Sequence, residues 1–156
     1  MALEERPQPT GSIVLRIVIV ALVAVLVWVI YEPYAYMKQE SAFKLESRLR
    51  MVNIRQAELL YLNRNGRYSS NLDSLIHFIK TDMRIAARMD SIFKPLSAGT
   101  FDPESLKYAP KSHRSYNIQV DDTSVVKKYF LEDPDGYGTI GSLDDEKKVN
   151  KASWEE

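Results

Sequence analysis

The sequence predicts an α+β chain: a long N-terminal helix, half membrane-spanning and half amphipathic, packed on a small antiparallel sheet. Three observations carry that expectation. Residues 13–31 are apolar or aromatic except for Arg16, residues 37–65 contain neither proline nor glycine, and residues 115–131 change to strand texture around Asp121-Asp122. The chain has 156 residues, 45% of them hydrophobic, with 21 basic against 21 acidic residues and no cysteine. That length allows one modest domain. Absence of cysteine removes a disulfide scaffold, a thiol nucleophile and a thiolate zinc site, and neutrality argues against nucleic acid as a partner.

The anchor comes first. A helix over residues 13–31 spans about 28 Å, close to a hydrocarbon core of about 30 Å. Arg16 falls in its first turn, where a long side chain can snorkel to the headgroups. Trp28, Tyr31, Tyr34 and Tyr36 gather at the far end, as in an interfacial aromatic belt. The run is too long for a signal-peptide core, no small-x-small cleavage site follows it, and a soluble core helix is seldom apolar on every face. The expected division is a short tail or leader over 1–12, an anchor over 13–33 and a soluble domain over 34–156. Lys38, Lys44, Arg48 and Arg50 follow the anchor, so a bare charge count favours a cytoplasmic domain, although long domains cross largely regardless of charge.

Pro33 can kink the helix or end it. Beyond it, Leu45, Leu49, Val52, Leu59 and Leu60 recur at helical spacing, and Gly66 after Asn65 suits a left-handed C-terminal residue. The basic residues between 38 and 67 fit a solvated face or a surface for lipid or a partner. Ser70 or Asn71 can cap a second helix with Leu72, Leu75, Ile76 and Ile79 as its buried stripe, and His77 in it has no second ligand at metal spacing. Residues 80–94 fit either continued helix or an excursion. After the Pro95–Pro103 stretch, residues 115–120 and 124–131 read as the two strands of a hairpin.

The tail from 131 to 146 carries Glu132, Asp133, Asp135, Asp144, Asp145 and Glu146 and no basic residue. Calcium takes six to eight oxygens at about 2.4 Å, and Gly136, Gly138 and Gly141 would let such a loop curl. The spacing is not that of an EF-hand. A solvated, turn-rich loop accounts for the same residues.

Taken together, these residues resemble type IV pilins and the pseudopilins of type II secretion. In that family a leader ends in glycine and the apolar helix carries a proline 22 positions later, as Pro33 follows Gly11. AELLYLNRNGRYSSNLDSL, from Ala57 to Leu75, is similar to the family's helix end and following loop. DPDGYGTIGSLDD through Trp154 is similar to the C-terminal loop of major pseudopilins, which surrounds calcium. The resemblance implies a pilin-like fold, a periplasmic domain on the bacterial inner membrane, and Asp133, Asp135, Asp144 and Asp145 as candidate calcium ligands. Two positions depart from the pattern. Arg16 stands where the family has glutamate, and Ser12 replaces the phenylalanine after the processing glycine Gly11. An arginine there sets like charges together in a low-dielectric setting, so the expectation is a subunit that is neither cleaved nor filament-forming.

No nucleophile elbow, phosphate loop or paired histidine is present, and an enzyme is not expected. Two classes remain. One is a pilin- or pseudopilin-like structural subunit of an envelope secretion or pilus-type assembly, associating with other subunits or itself. The other is a single-pass, membrane-tethered adaptor presenting loops to a soluble partner or glycan.

Overall fold

The computed structural model describes residues 10–155, with side chains from Ile13 onward. It divides into two units, Met1–Ser41 and Ala42–Glu156, which the first helix, α1 (Thr10–Asn65), runs through. In the first unit the stretch of α1 over residues 13–31 is apolar around its circumference apart from Arg16. α1 is the one described helix long and apolar enough to cross a membrane: an 18-residue window reaches a mean hydropathy of 3.2 with none of it buried. Pro33 sits inside α1, so the helix continues past it. Arg16 is exposed. Gly11 and Ser12 fall in the first turn, and their side chains lie outside the described residues.

The second unit is the α+β part. α1 stops where the sequence says it should: Gly66 adopts a φ of +72°, and its N–H bonds the Leu62 carbonyl at 2.7 Å, closing the last turn. The buried face of α1 differs from the leucine stripe read from spacing. Leu45 is 63% exposed and Leu49, Val52, Leu59 and Leu60 are half-buried, whereas Met51, Ile54 and Ala57 are fully buried. The helix is rotated because four polar residues, Glu46, Ser47, Asn53 and Glu58, share the inward face and find partners there.

Helix α2 (Leu72–Thr81) begins at Asn71, whose side chain accepts the Asp73 N–H, and buries Leu72, Leu75, Ile76 and Ile79 as the spacing predicts. Residues 80–94 are neither a long helix nor a bare excursion. The Asp82 carboxylate accepts the N–H groups of Arg84 and Ile85, which stops α2 and starts the single-turn helix α3 (Met83–Ala86); a second single turn, α4 (Met89–Ile92), follows from Arg88 without a side-chain cap. A short 3-10 helix follows over Pro103–Lys107.

The sheet has three antiparallel strands in the order β1 (Asn117–Asp121), β2 (Lys128–Glu132), β3 (Thr139–Gly141). Ile118 pairs with Leu131 and Val120 with Tyr129, while Leu131 also faces Ile140 across β3. These residues join Met51, Ile54, Ala57 and the α2 stripe in one core, so the helix packs on the sheet. The second strand starts later than its valines suggest. Asp121 accepts from Thr123 N–H and from the hydroxyls of Thr123 and Ser124, holding the chain in a turn that leaves Val125 fully exposed. β3 arises inside the acidic tail and was not expected. Beyond it the chain returns along the free edge, with Gly141 N–H to Lys151 O at 3.0 Å and Ser153 N–H to Thr139 O at 2.9 Å.

Candidate functional site

The polar side chains on the inner face of α1 each hold a different segment of the second unit. Glu46 accepts from Arg50 Nε at 3.1 Å, from the Ser97 N–H at 2.9 Å and from the Ser97 hydroxyl. Arg50 in turn donates to the carbonyls of Ser105 (3.1 Å) and Tyr108 (2.7 Å). Asn53 bonds both backbone groups of Lys94, at 2.9 and 2.8 Å. One helix thereby fastens the segments around residues 94–97 and 105–108. Each of these buried groups would be destabilising if left unpaired, so the bonds specify where the loops go as well as how firmly they sit.

Ser47 is the centre of a buried relay. Its hydroxyl lies 2.8 Å from the Tyr116 hydroxyl and donates to Asp133. A serine has one proton to give, so with that proton on Asp133 the Tyr116 O–H must be the donor to Ser47. Burial pushes the Tyr116 phenol well above its ordinary value, keeping that proton in place. Asp133 also accepts the Asp135 N–H at 2.6 Å and organises the turn in which Asp133 N–H reaches Gly138 O at 3.1 Å.

The tail is tied to α1 at two more points. Arg48 donates to the Tyr137 carbonyl at 3.0 Å and lies over the Trp154 ring, 4.8 Å from its centre. Arg55 forms a two-pronged pair with Glu155 at 2.9 and 3.0 Å and donates to Asn150 O at 3.1 Å. Two glycines are required here. A Cβ on Gly138 would stand 2.6 Å from the Trp154 ring, and one on Gly141 would stand 2.2 Å from the Tyr129 carbonyl, at a φ of +84°.

Glu58 is the one member of this set with an incomplete partner list. It is fully buried, Oε2 accepts the Ser69 N–H at 2.8 Å, and Oε1 has no partner, as is also true of the nearby Tyr129 hydroxyl. Burial pushes its carboxyl up to about 7, only partly offset by the Ser69 N–H. The side chain can therefore hold a proton near neutrality.

The four acids considered as calcium ligands have separate duties. Asp133 takes the Ser47 relay. Asp135 accepts the Ser112 N–H at 3.2 Å and lies 3.5 Å from Arg114, Asp144 is exposed, and Asp145 accepts the Lys147 N–H at the start of a 3-10 turn. Among the described residues no three or more His, Cys, Asp or Glu side chains are grouped as for a metal ion. His77 is exposed on α2.

Sequence reasoning passed over Glu46, Ser47, Asn53 and Glu58. The signal was present as spacing: Ser47, Met51, Ile54 and Glu58 follow one another at steps of four, three and four, which is one helix face. Polar residues on an apolar stripe mark buried hydrogen-bonding partners. No protein-family model, characterised protein or solved structure matches the chain.

Proposed function

We propose that the chain is a single-pass, membrane-anchored structural subunit of a bacterial envelope assembly of the secretion or pilus type, pilin- or pseudopilin-like in its parts. The reading places the second unit in the periplasm and leaves the N-terminal segment unprocessed. The observation that carries it is the exposure of the large apolar side chains from Ile13 to Met37 along the first stretch of α1. Such a surface is stable in a hydrocarbon phase or against other apolar helices. The long helix and the three-stranded antiparallel sheet are compatible with the resemblance, and Arg16 supports an uncleaved, non-filamentous subunit.

On this reading the acidic tail is closed by protein donors: Ser47 on Asp133, Arg114 on Asp135 and the Lys147 N–H on Asp145. Calcium is then expected to leave the thermal midpoint of the full chain unmoved. A rise that a chelator reverses would restore the cation to the tail.

The test uses the full chain in a bacterial envelope. Carbonate extraction should leave it in the membrane, protease added to spheroplasts should digest the second unit, and cross-linking should trap it with other envelope subunits. Terminal sequencing should find no mature chain beginning at Ser12. Such a chain would remove the unprocessed reading, and protection of the domain would place it in the cytoplasm. The tethered-adaptor alternative is favoured by one observation, a group of arginines on the second unit that have no acid of their own.

A further inference from the structure

The arginines of the second unit fall into two groups. Arg48, Arg50, Arg55 and Arg114 are each engaged by a carbonyl, a carboxylate or a ring of the same chain. Arg64, Arg67, Arg84 and Arg88 are exposed, and among the described residues none of these four has an ion pair or a side-chain hydrogen bond. Three of them, Arg64, Arg84 and Arg88, line one open groove of about 420 Å³, whose apolar lining includes Leu60, Phe78 and Ile92. Arg64 comes from the last turn of α1, Arg84 from α3, and Arg88 from the residue that caps α4, so three separate elements converge on it. The single acid in the lining, Asp82, is taken by the N–H groups of Arg84 and Ile85. Phe78 is held edge-on by Tyr61 with ring centres 5.1 Å apart, which fixes the apolar lining.

We propose that this groove is a docking site for an acidic segment of a partner protein that also carries apolar side chains. Guanidinium groups are weakly hydrated and present a planar fork that matches a carboxylate, so three left without acids in a chain of balanced charge are placed for carboxylates supplied from outside. The apolar lining adds a requirement that a free anion cannot meet and a peptide side chain can. A flat bilayer surface does not fill an open space of about 420 Å³ lined from three elements, which favours a chain segment over a membrane. The groove has the same chemistry whether the protein is a structural subunit or an adaptor.

The test is fluorescence polarisation of a short labelled peptide alternating glutamate and leucine. It is titrated with the full chain in zwitterionic nanodiscs, with empty discs as blank. Binding is expected, and Arg84→Glu or Arg88→Glu should each weaken it about tenfold. Arg67→Glu should leave it unchanged, because Arg67 lines a different cleft beside Tyr68 and Ser70. Arg84→Gln and Arg88→Gln serve as the milder pair where a charge reversal fails to fold by circular dichroism. No binding to the unaltered chain overturns the proposal, as does an equal loss on Arg67→Glu. Displacement by inorganic phosphate as effective as that by unlabelled peptide makes the groove a simple anion site. Preferential capture of the chain's second unit by anionic vesicles makes it a lipid site. Either of these outcomes also overturns the proposal.

Discussion

Residues 13–37 and residues 46–65 belong to the same α-helix and differ in what their side chains meet. In the first stretch the large apolar side chains are 46–70% exposed, from Val18 to Trp28 and Met37. In the second, Glu46, Ser47, Asn53 and Glu58 are 0–8% exposed. The usual order is inverted: the apolar part faces out and much of the inward face of the other part is polar. Helix formation is a local matter of propensity and backbone hydrogen bonding, and it is indifferent to which side later becomes interior. Burial is decided by the surroundings, which for the second stretch are supplied by its own domain.

The largest expected effect tests that inward face directly. Met51→Ala should destabilise the second unit by about 2–5 kcal/mol, because a fully buried side chain leaves a cavity among Ile54, Leu75 and their neighbours. The measurement is thermal or urea unfolding of the full chain in zwitterionic micelles. A loss under ~1 kcal/mol would mean that α1 does not bury this face. In the first stretch, Leu26→Lys should cost about 2.5–3.5 kcal/mol on insertion and move the chain toward the carbonate-soluble fraction, with the unfolding of the second unit unchanged. Full retention in the membrane would remove the anchor reading.

Glu58 sharpens the comparison from the polar side. Folded Glu58 holds its proton up to about 7, against an ordinary carboxyl value of 4.5. Between those values the folded state binds the additional proton, so stability falls as pH rises through the window and levels off above it. The loss is about 3 kcal/mol from below the window to above it. Glu58→Gln should remove most of that slope and be the more stable protein above neutrality by about 1–3 kcal/mol. A slope retained in the variant would assign the pH dependence to other groups. The smallest effect belongs to Leu45→Ala. Its side chain is 63% exposed, so the change should stay within about 0.5 kcal/mol. A loss matching that of Met51→Ala would return the leucine stripe to the interior.

Much of the fold is legible residue by residue. The long apolar N-terminal helix, the end of α1 at Asn65, a cap at Ser70 or Asn71 (Asn71 in the structure) and the α2 stripe follow from local signals: apolar run length, a glycine free to adopt positive φ, and side chains that satisfy helix N–H groups. The break at Asp82 was open in the sequence because the same acid can end one helix and begin the next. β3 was hidden because three residues between glycines carry no period, and it exists only where β2 offers an edge. The Val125-Val126 pair misled in the opposite sense: strand-forming side chains stayed out of the strand because Asp121 had already turned the chain.

The candidate site divides the same way. Arg16, Pro33, Gly11 and Ser12 are read from the chain as positions in a pattern. Asp133 was picked out as an acid in an acidic loop, but its partner Ser47 lies 86 residues away and its role became visible only when the two met. The sequence by itself determined the end of α1 at Asn65, the start of α2 near Asn71 and the apolar run of residues 13–31 around Arg16, since these depend on neighbours along the chain. Tertiary structure decided which face of α1 is interior, which acids are engaged and which arginines are left without acids. Those outcomes depend on groups distant in sequence, and an isolated residue type carries no record of the partner that will satisfy it.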